Sequence, residues 1–178
     1  MISRVAENCF WLHRYVERAE NTARLLRMSR SYFLDMSVPE LERWHPVICV
    51  SGELQRFIEL AGPAALKDAE LVQDFLVWDE KNPVSILNSV RQARENARIT
   101  RDVLSHEVWE ALNGFSHWLE VDGGKEAYED DRDAFYQQVK ESVQLFYGLC
   151  DGTMLHEEPY EFMRLAMLLE RAAQTTRI

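Results

Sequence analysis

At 178 residues the chain is long enough to bury a core of its own, and one domain over 1–178 is the expectation. A hydrophobic share of 47% excludes a disordered composition, and only seven Gly and five Pro disfavour turn-rich β architecture. Lys and Arg number 20 against 30 Asp and Glu, and the resulting net charge of −10 argues against general affinity for nucleic acid or an anionic membrane.

The first helix is predicted from Ser3 to Phe33, because Leu12, Val16, Ala19, Ala23 and Leu26 recur at three- and four-residue steps. Ser37-Val38-Pro39 ends it, and a short turn over Glu40–Trp44 follows. A second helix runs from Pro46 to Gly62-Pro63, with Gly52 inside it as a candidate kink or close helix crossing. Asp68 caps a brief third helix that buries Leu71, Val72, Phe75 and Leu76 and ends near Trp78. Asn82-Pro83 opens a fourth, which reaches Leu104 with Ile86, Val90, Ala93 and Ala97 inward. Ser105 caps a fifth, and Gly114 is a place where it divides. Lys125–Asp131 reads as a solvated connection. The sixth helix spans Arg132–Cys150. The seventh begins near Pro159 and carries the widest apolar arc, so it is predicted to be the most buried. No stretch alternates as a strand does, and the expectation is an all-α bundle of about seven helices without a sheet.

The amphipathic pattern is unfinished at Ile178. This points to a chain that is short relative to its kin, with an apolar face left for a missing segment or a second copy, and hence to a homo-oligomer. The three cysteines, Cys9, Cys49 and Cys150, form no C-x-x-C pair and read as small apolar residues in a reducing compartment. The N-terminus acquires charge too early for a signal peptide, and no apolar run approaches a membrane span, so the expected location is cytoplasmic.

The strongest internal pattern is a charged string on the first helix, Glu17-Arg18-Ala19-Glu20-Asn21-Thr22-Ala23-Arg24. It has relatives in Ala93-Arg94-Glu95-Asn96-Ala97-Arg98 and in Glu170-Arg171-Ala172. Helical geometry places His13, Glu17, Glu20 and Arg24 on one stripe away from the centre of the apolar face, and Arg91, Glu95, Arg98 and Asp102 on another. Such stripes form solvated ladders of i,i+4 pairs worth about 0.3–0.5 kcal/mol each, or they face one another inside the bundle. In the second case Glu17, Arg18, Asn21, Arg24, Arg94, Glu95, Asn96, Arg98, Glu170 and Arg171 make either a structural network or a site for a nucleotide, phosphate or carboxylate. Glu17 and Arg18 leave the helix on different sides and are each expected to reach a different neighbour.

Glu42-x-x-His45 is half of a di-iron signature without its second half, so no metal or cofactor is expected. His13 with Glu17 and Asp102 with His106 read as surface pairs. Phosphate loops and hydrolase or metalloprotease motifs do not occur. Trp44, Trp78, Trp109 and Trp118 are expected to anchor the core or an interface.

The Glu-Arg strings, together with Arg4-Val5-Ala6-Glu7-Asn8, Asn82-Pro83-x-Ser85-Ile86-Leu87 and Val108-Trp109-Glu110-Ala111-Leu112-Asn113, resemble the bacterial alpha-E domain family. The resemblance covers the whole chain and matches the N-terminal part of longer members. It implies an all-helical accessory or interaction domain that partners an ATP-grasp-like peptide or amide ligase and a transglutaminase-like peptidase. It implies no reaction for the domain itself.

Overall fold

The computed structural model describes residues 3–35 and 43–177. Ser37-Val38-Pro39, Glu42 and Ile178 lie outside the described residues, and so do the predicted turn's first residues and the half-motif's glutamate. Among the described residues the fold is entirely helical, with nine α-helices rather than about seven. They are α1 (Ser3–Asp35), α2 (Trp44–Ser51), α3 (Leu54–Ala61), α4 (Ala69–Val77), α5 (Ile86–Ile99), α6 (His106–Glu120), α7 (Gly124–Asp130), α8 (Arg132–Thr153) and α9 (Glu158–Thr175). A short 3-10 turn over Pro63–Lys67 joins α3 to α4.

The two additional helices have local causes. The predicted second helix is divided at Gly52, which takes φ 83° and closes α2 with its N–H on Cys49 and Ile48 carbonyls. A side chain disfavours that left-handed conformation, so glycine ends the helix there instead of merely weakening it. The predicted loop over Lys125–Asp131 is instead α7, because Tyr128 is buried. Its ring packs edge-on to Trp78 and Phe135, and its hydroxyl donates to Asp74 Oδ1 at 3.0 Å.

The predicted caps at Asp68 and Ser105 form: Asp68 accepts from the N–H groups of Glu70 and Leu71, and Ser105 from that of Val108. The cap of α5 is Ser85, which accepts from Asn88 N. Asn82 is buried in the preceding turn and donates to the Phe75 carbonyl. Gly114 does not divide α6.

Helix α1 is the central element and packs against α5, α9 and α8, while α6 and α7 lie against α8. This corrects the expectation that the last helix is the most buried. On α9 only Tyr160, Met163, Ala166 and Glu170 are buried, whereas Phe162, Leu165, Leu168 and Leu169 are exposed. The helix rests chiefly on α1, so one narrow side of a wide apolar arc is covered. Enclosure of α1 by three neighbours likewise overturns the solvated reading of its first stripe: His13, Glu17 and Glu20 are all buried. The corresponding stripe on α5 does face outward, with Glu95 and Arg98 exposed, but the helix ends at Ile99 and not at Leu104, so Asp102 lies in the exposed turn beyond it. Cys9 and Cys150 are buried as expected, but Cys49 is exposed, with its Sγ 3.6 Å from His45 Nε2 one turn away.

Candidate functional site

Glu17 and Arg18 are consecutive on α1, so their side chains diverge by about 100°. Glu170 and Arg171 repeat that divergence on α9. The two dipeptides pair in crossed order. Arg18 Nε donates to Glu170 Oε1 at 2.9 Å and its Nη2 to Oε2 at 3.2 Å. Arg171 Nε donates to Glu17 Oε1 at 2.7 Å. Each motif thus connects helices, but Glu17 and Arg18, each expected to reach a different neighbour, both meet α9, and Glu17 reaches α8 as well.

Both carboxylates are saturated from several helices. Glu170 also accepts from Arg14 Nε at 2.7 Å and from Gln174 Nε2 at 3.1 Å. Glu17 also accepts from the Tyr147 hydroxyl of α8 at 2.6 Å and from Asn21 Nδ2 at 3.2 Å. Glu17 is 0% and Glu170 2% exposed, so these charges sit where water cannot solvate them, and each donor offsets part of that cost. Burial pushes the Glu170 carboxyl up, but the hydrogen bonds and charges of Arg18 and Arg14 outweigh it and hold the group below its ordinary range. The bond to Glu17 raises the Arg171 guanidinium above its ordinary value. Burial, followed by the adjacent Glu17 charge, moves the Tyr147 phenol far above its own.

A groove of about 650 Å³ opens beside the Glu17–Arg171 pair. Glu20, Arg24 and Tyr147 line it together with Arg171 of α9 and Arg177 just beyond that helix. Glu20 is 3% exposed, and among the described residues it accepts no hydrogen bond; its ion pair with Arg24 Nη1 spans 3.9 Å. Burial and then the neighbouring Glu17 charge push the Glu20 carboxyl above its ordinary range, against the pull of Arg24, Arg171 and Lys140.

The third charged string does not join these groups. Arg94 on α5 donates to Asn113 Oδ1 at 2.8 Å and lies over the Trp109 ring. Glu95 and Arg98 pair with each other on the surface, and Asn96 donates to the Gln92 carbonyl. Of the ten candidate residues, the structure brings together Glu17, Arg18, Asn21, Glu170 and Arg171, with Arg24 at the groove, and sets Arg94, Glu95, Asn96 and Arg98 apart.

Three members of the network lay outside the expected set. Gln174 carries a readable signal, since it stands one helical turn from the Glu170 it serves, whereas Arg14 stands one turn from Arg18 but serves Glu170 across 156 positions. Tyr147 carries none, because only the packing of α8 on α1 brings it to Glu17. His13 does not pair with Glu17; it packs against the Phe146 and Tyr147 rings with Nδ1 unpartnered, and burial lowers its pKa to about 3. His106 pairs with Glu110 at 3.0 Å.

The described residues contain no cluster of His, Cys, Asp and Glu that would hold a metal ion, and no helix among them is long and apolar enough to cross a membrane. The Alpha-E family, described as a predicted alpha-helical domain with a conserved ER motif, matches residues 1–178. The chain is 25% identical over 188 aligned residues to the uncharacterized protein Mb2597 of Mycobacterium bovis, and equally to the uncharacterized protein MT2643 of Mycobacterium tuberculosis. Each alignment takes in 97% of this chain but 21% of the relative, so the chain spans about a fifth of the length of these proteins. No solved structure matches it.

Proposed function

The chain belongs to the Alpha-E family, and from that membership and the crossed pairing of its two Glu-Arg dipeptides we propose that it is a helical docking domain rather than a catalyst. The observation that carries this reading is the outer face of α9. Phe162, Leu165, Leu168 and Leu169 are 39–54% exposed on a helix whose inner face is held to α1 by buried ion pairs. Fixing a helix in register while leaving its apolar side uncovered is the arrangement of a preformed contact surface.

The partner we assign to that face is the ATP-grasp-like ligase that the family resemblance implies, with a transglutaminase-like peptidase as the associated activity. Support for a multi-part assembly comes from the relatives, in which the matched region is a fifth of a much longer chain. The buried network has no open donor set of its own to perform chemistry: both carboxylates are engaged by several side chains. Its role in this reading is to hold α9 on α1.

Co-purification of the 178-residue chain with an ATP-grasp-like ligase from the same organism tests the proposal. A stable complex, lost when Leu165 and Leu169 are replaced by Asp, is the expected result. Full ligase activity without this chain, together with no complex, refutes it. A mass that doubles with concentration and falls back in the same double variant assigns the face to a second copy instead.

A further inference from the structure

The groove beside the Glu-Arg network has a chemistry that the docking reading does not use. Its floor holds Glu20, a carboxylate 3% exposed to solvent that accepts no hydrogen bond among the described residues. Every other buried carboxylate of the network is bonded by several donors, and Glu20 differs in being left to the groove it lines. Its nearest cation, Arg24 Nη1, stands 3.9 Å away, too far for a hydrogen bond, on a side chain that is 58% exposed. Arg171 commits its Nε to Glu17 and lines the same groove. The wall also holds an apolar set, Leu25, Met28, Val50 and Leu76, among polar side chains that include Asn21, Thr22 and Glu53.

We propose that this groove binds a free α-amino acid with an apolar side chain, its ammonium on Glu20, its carboxylate on Arg24 and Arg171, and its side chain against Leu25, Met28, Val50 and Leu76. An ammonium supplies up to three donors from one compact positive centre, which is what a buried carboxylate without donors lacks. Guanidinium groups match a carboxylate in plane and in charge. Of the three glutamates lining the groove, Glu17 is held by Arg171 and Glu53 by Arg56, and Glu20 beside Arg24 and Arg171 suits a ligand that carries an ammonium and a carboxylate on one carbon. A phosphate or a simple carboxylate would meet the Arg side chains but would be repelled by Glu20. A simple amine would satisfy Glu20 and leave the rim unused. A volume of about 650 Å³ is ample for one amino acid.

Calorimetric titration of the 178-residue chain with leucine, N-acetyl-leucine and leucinamide tests the proposal, and it needs no variant. Leucine binds, and each blocked form binds at least about tenfold more weakly, because each lacks one of the two charges. Glu20→Gln keeps the shape of the side chain and loses leucine binding by about tenfold or more. Its circular dichroism stays that of the parent, since the change removes a buried charge without a donor. Absence of binding by leucine and by the other free amino acids at millimolar concentration overturns the proposal. So does equal affinity for the acetylated or amidated form. Both outcomes are independent of the docking reading, which concerns the exposed Leu165 and Leu169 of α9, outside the groove lining, and a protein partner.

Discussion

Arg18 grips Glu170 through both Nε and Nη2 across a separation of 152 positions in the chain, and the carboxylate it holds is 2% exposed. Removing the guanidinium leaves that carboxylate buried with Arg14 as its remaining cation. Arg18→Ala is therefore expected to lower unfolding free energy by about 3 kcal/mol, in the range for breaking a buried pair. Replacing both partners by methionine removes the stranded charge together with its partner. The double variant should be more stable than the sum of the two single losses by about 1 kcal/mol or more. Urea denaturation of the four proteins in this cycle measures the coupling, and strict additivity would mean that the pair is not a unit.

The same dipeptide chemistry on α5 provides the control. Glu95 and Arg98 form a bidentate pair with distances of 2.9 and 2.6 Å, as short as those of the buried network. Both side chains are about half exposed, at 48% and 60%, so water screens the attraction and solvates either partner alone. Arg98→Ala should leave the denaturation midpoint unchanged within error. A loss comparable to that of Arg18→Ala would show that burial is not what separates the two sites.

This contrast also marks where the sequence stops being informative. The spacing of Leu12, Val16, Ala19, Ala23 and Leu26 is enough to predict α1, and the caps at Asp68 and Ser105 are legible because each depends on residues a few positions away. The strings at Glu17 and Glu95 look alike in sequence, but one helix is enclosed by α5, α8 and α9 and the other turns its charges to solvent. Which copy is central depends on tertiary packing, and no local pattern encodes it. The same holds for Tyr147, whose bond to Glu17 spans 130 positions. Tyr128 shows the converse, since one buried aromatic ring docks a helix whose charged residues stay exposed.

His13 should make the protein sensitive to acid. Its ring lies among Phe146 and Tyr147, and burial lowers its pKa from 6.5 to about 3. The unfolded chain binds a proton at this residue below pH 6.5 and the folded chain does not until about pH 3, so stability falls as pH drops through that window. The slope from this group approaches about 1.4 kcal/mol per pH unit. Glu170, held below its ordinary range, adds a loss of the same sign at the acid end, whereas Glu20, held above its own, contributes in the opposite sense. His13→Phe removes one contribution and leaves the others. Its stability should therefore exceed that of the parent increasingly as pH is lowered from 6.5 to 4.5, by urea denaturation at each pH. Parallel curves for the two proteins would mean that His13 is protonated within the fold.

Helix α9 offers a test in which two faces of one element give opposite results. Met163 is 0% exposed and packs in the core, so Met163→Ala should cost about 2–4 kcal/mol through lost contacts and the cavity left behind. Leu165 is 48% and Leu169 45% exposed, one turn apart on the uncovered side. Leu165→Asp with Leu169→Asp should alter stability by no more than about 1 kcal/mol in total, because neither side chain leaves a filled core position. If the outer face docks a protein, that same double variant weakens the complex by about tenfold or more, since two apolar anchors are replaced by charges that remain desolvated on binding. The dissociation is read by calorimetry against the ATP-grasp-like ligase, and the mass of the free chain by sedimentation. Weak folding of the double variant would place the face in the core instead, and undiminished affinity would move the contact elsewhere on the bundle. Destabilisation confined to Met163 and loss of binding confined to Leu165 and Leu169 would mean that α9 divides its work between its two sides.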